Sequence, residues 1–211
     1  MRAATSAMLI IIAMAFGIAV YLYPQMPGRM ASHWNAMGEA DGHMPKFWGL
    51  FLMPLVSAGL SLLFLAIPRI DPLKRNIEKF RKHYEALVVI ILLFLFYVFL
   101  LTTLWNLGMR FNLGQLLFPA LAGLFFYIGT ILGKFKRNWF IGIRTPWTLS
   151  SDRVWGRTHR LGGKLFKACG LIALLGALFP GHGLVLVLAP ILLSAGYLFV
   201  YSYLEYQKEA K

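Results

Sequence analysis

The stretch VVIILLFLFYVFLL, residues 88–101, carries no charge, no amide and no proline. Extended to Ala86–Leu107 it reaches the roughly 17–25 residues that cross a ~30 Å hydrocarbon layer. In lipid such a segment must satisfy its own backbone polar groups, so it is a helix. Five more runs of similar character follow the same rule: about Ala3–Tyr23, Phe47–Ile67, Leu113–Gly133, Leu165–Phe179 and Leu184–Tyr203. An apolar fraction of 59% and an aromatic fraction of 15% exceed what one soluble core of 211 residues needs. The expected fold is all-α, a polytopic integral membrane bundle of six transmembrane helices. The fifth run is short for a span.

The first run begins with one arginine but leads into YLYPQMP instead of a small-residue cleavage site, so it reads as an anchor, not a removed signal peptide. Six spans place both termini on one side. Arg69, Lys74, Arg75, Lys79, Arg81 and Lys82 fall between the second and third spans, and nine basic residues fall in 134–167. With Arg2, Lys208 and Lys211 these make eighteen of the twenty-one cations, against Arg29, Lys46 and Arg110 on the other face. The positive-inside bias then puts both termini in the cytoplasm of a multi-pass cell-membrane protein. The net charge of +13 is accounted for by attraction to anionic inner-leaflet lipids, without direct nucleic-acid binding. The lone Cys169 excludes an intrachain disulfide and a cysteine metal cluster, and no cofactor is implied.

Two units are expected: residues 1–67, two spans with an extracytoplasmic loop at 23–46, and residues 68–211, four spans with a cytoplasmic loop at 134–164. Pro54, Pro119 and Pro190 lie inside spans, where they favour kinks. No ionisable group sits mid-span, unlike the usual proton or ion carrier. In the first outer loop His33, Glu39, Asp41 and His43 tempt a metal reading, but their spacing matches no helical ligand pair. The plainer expectation is a tight turn at Asp41-Gly42, with Trp34 at the membrane interface; recognition of a partner through this loop is the alternative.

The segment NWFIGIRTPWTLSSDRVWGRTHRLGGK, residues 138–164, is the richest in chemistry. Gly142 and Thr145-Pro146 interrupt helix there. Ser150 or Ser151 caps a new one with Asp152 in its first turn. That helix carries Val154, Trp155, Thr158 and Leu161 on one flank and Arg153, Gly156, Arg157 and Arg160 toward the other, and Gly162-Gly163 are expected to end it. It reads as a short amphipathic helix on the inner leaflet. Two roles fit the same residues: generic anchoring by tryptophan and arginine, or a polar surface built from Arg144, Thr145, Trp147, Thr158, His159 and Arg160.

NWFIGIRTPWTL from Asn138 to Leu149, followed by Val154-Trp155, Thr158-His159-Arg160 and Gly162, resembles the signature of the SdpI family of bacterial multi-span immunity proteins. YPQMP from Tyr23, then His33-Trp34-Asn35, Gly38, Asp41-Gly42 and Lys46, is similar to a small domain of unknown function that often precedes it. The resemblance implies protection against a secreted membrane-active peptide toxin, and signalling through a cytosolic transcriptional regulator held at the membrane. It assigns Asn138, Gly142, Arg144, Thr145, Pro146, Trp147, Trp155, Thr158, His159 and Arg160 to the inner site. His33, Trp34, Asn35, Asp41 and Gly42 fall to outer recognition.

Two other classes compete with a binding protein. A small transporter or lipid-moving protein is allowed by the three prolines. A lipid-headgroup enzyme would use Arg144, Arg157 and Arg160 on phosphate with His159 as acid or base, but Asp152 is the sole carboxylate in that loop. The expectation is therefore a protein without catalytic residues.

Overall fold

The computed structural model describes residues 2–209; Met1, Ala210 and Lys211, the last counted above among the cations, lie outside them. The chain runs α1 (Arg2–Leu22), a hairpin of β1 (Arg29–Trp34) and β2 (Ala40–Pro45), α2 (Lys46–Ile70), short α3 (Lys74–Lys79), α4 (Arg81–Asn106), α5 (Leu113–Ile131), short α6 (Pro146–Ser150), α7 (Asp152–Leu175) and α8 (Gly183–Glu209). The protein is an all-α membrane bundle with one small hairpin. Helices α1, α2, α4, α5 and α8 are long and apolar enough to cross a bilayer.

The sixth expected span is where the fold departs from the sequence-based expectation. The short interfacial helix and the fifth run are one continuous helix, α7, which passes straight through Gly162-Gly163 and ends at Leu175, short of Phe179. Its stretch up to Lys167 bears five cations, so it lacks the uniform apolarity of the other five. The two glycines do not stop the helix because tertiary packing claims them. A Cβ on Gly163 would lie 2.8 Å from the Gly129 carbonyl oxygen, and one on Gly129 would lie 2.7 Å from that of Gly163. Two turns further along, a Cβ on Gly170 would lie 2.7 Å from the Ala122 carbonyl. Gly163 and Gly170 are separated by the same seven residues as Gly129 and Ala122, so antiparallel α5 and α7 meet backbone to backbone along a seam. Each glycine costs about 1 kcal/mol of helix propensity relative to alanine. Close backbone approach offsets this, as small residues commonly allow between membrane helices.

Around this seam α5, α7 and α8 form one cluster, while α1, α2 and α4 form another with α4 touching α5. The second cluster packs on side chains instead of backbone: Met8, Ile11, Ile67, Leu87 and Leu92 are buried in it. Tyr84 there donates its hydroxyl to the Phe64 carbonyl. One end of the bundle gathers α3, the 132–150 segment and the start of α7. The opposite end gathers the hairpin and the short connections at 107–112 and 176–182.

At that opposite end the expected loop is a two-stranded antiparallel hairpin, with Arg29 opposite Pro45 and Trp34 opposite Ala40. The turn is not at Asp41-Gly42, which lies within β2, but at Asn35–Glu39. Asn35 builds it: its Oδ1 accepts from the Met37 and Glu39 amides at 2.9 and 3.0 Å. Gly38 supplies the positive φ of 81° that the turn requires. Gly42 faces His33, whose Cβ would sit 2.8 Å from any Cβ placed there. The free edge of β1 is covered by a side chain acting as a strand. Asn106 of α4 accepts from the Ala31 amide at 2.7 Å and donates to the Ala31 carbonyl at 3.0 Å. Trp34 stands edge-on to Trp105 at 5.5 Å, and the Arg110 guanidinium lies over the Trp105 ring at 3.7 Å.

Candidate functional site

The inner segment folds as a knot of buried polar groups, and Asn138 is its centre. This side chain is fully buried. Its Nδ2 donates to the Lys136 and Ile141 carbonyls, both at 2.9 Å. Its Oδ1 accepts from the Phe140 and Ile141 amides at 3.0 and 2.7 Å. Every hydrogen-bonding position of the amide that a turn can use is therefore engaged. Two residues that the sequence does not single out anchor this turn to the preceding loop. Asp71, 2% exposed, accepts from the Trp139 amide at 2.9 Å through one oxygen and from the Leu73 amide at 2.6 Å through the other. Asn76 donates to the Arg137 carbonyl at 2.9 Å. The 71–76 and 137–139 segments thus form one unit.

The chain then turns at Gly142, whose φ is 118°. A Cβ here would fall on Nε2 of His159 and within 3.2 Å of the Trp155 ring. His159 is itself fully buried and stacked on Trp155 at 3.9 Å. Its Nε2 accepts from the Ile143 amide at 3.0 Å, which leaves the proton on Nδ1, 2.9 Å from the Trp155 carbonyl. Burial pushes its pKa down to about 4, with the hydrogen bond to the Trp155 carbonyl opposing. The ring is neutral at ordinary pH and both nitrogens are occupied. The ring thus ties the Ile143 turn to α7.

Thr145 caps α6 in a reciprocal box with Thr148. Its hydroxyl accepts from the Thr148 amide at 3.2 Å, and its own amide donates to the Thr148 hydroxyl at 2.8 Å. Pro146 fills the first helical position, where its missing N–H costs nothing. The Thr145 hydroxyl also meets Ser202 of α8 at 2.9 Å, and Trp147 packs edge-on against Phe199, with centroids 4.9 Å apart, and against Tyr203. Ser151 caps α7 by accepting from the Val154 amide, and its hydroxyl reaches Glu209 at 2.5 Å. Trp155 donates its indole N–H to the Phe135 carbonyl at 2.9 Å. Arg137 pairs with Asp152 at 2.9 Å. Buried Glu205 of α8 holds Arg157 at 2.5 Å and Lys208 at 2.9 Å.

The residues assigned to the inner site therefore divide into two sets. Asn138, Thr145, Trp155, Thr158 and His159 are buried inside the knot, and the Thr158 hydroxyl finds no partner among the described residues. Gly142 enforces the close turn, and Trp147 wedges the segment against α8. Arg144, Pro146 and Arg160 direct exposed side chains outward, with Arg144 bonded to the Trp139 carbonyl at 2.6 Å and Trp139 half exposed. The structure binds the loop to itself more than it offers it as a polar surface. Asp71, Asn76, Ser202 and Glu205 complete the knot from elsewhere in the chain. The sequence signal for Asp71 is a carboxylate within a strongly basic stretch, and Glu205 has no comparable local mark.

At the other end His33 and Asp41 pair across the hairpin at 2.5 Å on exposed side chains. Asn35 works within its turn, Trp34 lies against Trp105, and Gly42 admits His33. Among the described residues no three His, Cys, Asp or Glu side chains converge.

Residues 134–202 match the SdpI/YfhL protein family, and residues 10–58 match the domain of unknown function DUF1648. The chain is 27% identical over 188 residues to the Immunity protein SdpI of Bacillus subtilis (strain 168), covering 89% of this chain and 87% of that protein. No solved structure matches the chain. The 138–151 part of the knot, α7 and most of α8 fall within the first match, and the hairpin within the second; Asp71, Asn76 and Glu205 lie outside the first. The chain is thus a multi-helix membrane protein that is similar to the SdpI/YfhL family over residues 134–202 and to the domain of unknown function DUF1648 over residues 10–58.

Proposed function

We propose that this protein protects its cell from a secreted membrane-active peptide, with the hairpin outside and the polar knot in the cytoplasm. The observation that carries this reading is the likeness to an immunity protein along nearly the whole of both chains. The uneven sorting of cations supports the orientation, because the end that holds the knot also holds almost every lysine and arginine. At the hairpin end a cavity of about 140 Å³ lies between the turn and the starts of α5 and α8. Trp34, Leu117, Phe118 and Leu184 line it, suiting an apolar side chain of a peptide that approaches from the bilayer or from outside.

The knot ties the 71–76 segment, α7 and α8 together, so a change in helix packing would be felt at its outward residues, Trp139, Arg144 and Arg160. These are the positions at which a cytosolic regulator would dock. Any such signal requires two arrangements of the bundle that differ in affinity for the peptide.

Expression in a toxin-sensitive strain tests the reading: wild-type protein raises survival, and Arg144→Gln removes signalling while the protein still accumulates in the membrane. Equal survival with and without the protein would defeat the protective role. Orientation is tested separately by thiol labelling. Cys169 is buried, so a cysteine introduced at the exposed Asp41 should label from outside and one at Ser150 only after permeabilisation.

A further inference from the structure

Arg153, Arg157, Arg160, Lys164 and Lys167 follow one another at alternating spacings of four and three along α7. Residues so spaced share one face of a helix. The same face continues through Leu171 and Leu175, and Leu178 follows in the turn past the helix end; the three are 60%, 44% and 71% exposed. The face thus passes from cations into bare leucine without a polar interval, as a surface does that begins at headgroup depth and enters hydrocarbon.

The cations on it are not equivalent. Arg157 is neutralised by Glu205. Arg160, Lys164 and Lys167 have no carboxylate partner among the described residues. Two of their stems lie close to the chain of α5 and the turn that follows it. A Cβ on Gly133 would lie 3.6 Å from the Arg160 Cγ, and one on Gly129 would lie 2.7 Å from the Lys167 Cγ. Gly133 precedes Lys134, an exposed residue that adds a fourth cation beside Arg160. Gly129 of the seam therefore also seats the Lys167 stem against α5, and Gly133, just past the end of α5, leaves room beside the Arg160 stem. The register of Gly163 against Gly129 and Gly170 against Ala122 sets Lys167 level with about Phe125, below the end of α5. An unpaired ammonium at that depth is costly, and a lipid phosphate is the anion that the same depth supplies.

We propose that Lys134, Arg160, Lys164 and Lys167 form a site for the phosphodiester of an anionic phospholipid in the leaflet at the basic end, with the acyl chains lying along Leu171, Leu175 and Leu178. Two or three charge-assisted hydrogen bonds to one phosphate fit this spacing. The site lies on the outward face of α7 and shares only Arg160 with the rim of the knot, and it does not depend on the protective role.

The test is native mass spectrometry of the full-length protein in detergent, titrated with phosphatidylglycerol or phosphatidylcholine. Wild type is expected to retain one phosphatidylglycerol, and phosphatidylcholine at least tenfold less. Lys164→Gln/Lys167→Gln should weaken retention at least tenfold. Lys74→Gln/Arg75→Gln, which removes the same charge from exposed α3, should leave it unchanged. Should the first pair prove unstable by thermal melting, Arg160→Gln alone is expected to weaken retention several-fold. Equal loss in the α3 variant would show generic charge attraction and overturn the site. Displacement of the lipid by millimolar inorganic phosphate alone would also overturn it, in favour of a soluble anion.

Discussion

Asn35 and Asn138 do the same job at opposite ends of the molecule, and their surroundings make the outcomes different. Each uses its Oδ1 to take two backbone amides of a tight turn. Asn35 does so at the exposed tip of the hairpin, where water can replace any bond that is lost. Asn138 does so with no exposure at all, beneath Asp71 and beside α7, and it adds two donated bonds to carbonyls. A buried polar group that loses its partner bears its full desolvation cost, whereas an exposed one does not. The hairpin turn is thus replaceable chemistry on a clamped frame, and the inner turn is a structure that stands or falls as one piece.

The largest effect that could break this comparison is expected from Asn138→Leu. Two amides and two carbonyls would lose their partner in a closed space, at about 1–3 kcal/mol each, so the variant should fail to accumulate or should melt far below wild type. Full thermal stability of that variant in detergent would mean that the knot is not what holds the segment. Gly142→Ala comes next. Its strained backbone and its collision with the His159 ring should cost about 3 kcal/mol, read as a lowered melting temperature.

A comparable effect should accompany a change of pH. His159 has its pKa lowered from the ordinary 6.5 to about 4 by burial, so the unfolded chain binds this proton before the folded one does. Stability is then fully present above about pH 6.5 and falls as pH drops toward about 4, by about 3 kcal/mol at most. Thermal melts between pH 7.5 and 5 should show the slope, and His159→Gln should flatten it. An unchanged slope in that variant would place the titration elsewhere. The smallest effect belongs to Asn35→Ala, expected to cost less than about 1 kcal/mol; a loss as large as that of Asn138→Leu would erase the distinction between the two turns.

Features that depend on neighbours along the chain are legible in the amino-acid sequence. Five of the six spans follow from apolar length, the break at Thr145-Pro146 from the proline, and the start of α7 from Ser151 with Asp152 behind it. The buried flank of Val154, Trp155 and Thr158 follows from helical spacing. Features that depend on distant partners are not legible in this way. Gly162-Gly163 reads locally as a helix end, and only the approach of Gly129 shows why the helix continues. A signal is present in the matched seven-residue spacings of Gly163 to Gly170 and Ala122 to Gly129, but it takes both helices to see it. His159 reads as surface-polar until Ile143 donates to it across a turn, and Asp71 has no local mark of its bond to Trp139. The hairpin is hidden for another reason. Its strands are short, and one edge is completed by Asn106 from a helix far along the chain.

The seam between α5 and α7 has a mechanical consequence. With carbonyl against α-carbon and no side chain interposed, neither helix can rotate about its axis or slip lengthwise without a backbone collision. The pair behaves as one stiff beam with the knot mounted at its tip. Freedom to bend is left to the connections at its far end, at Gly108, whose φ is 102°, and in the 176–182 turn. A push delivered there would swing the whole beam and carry the tip through an arc.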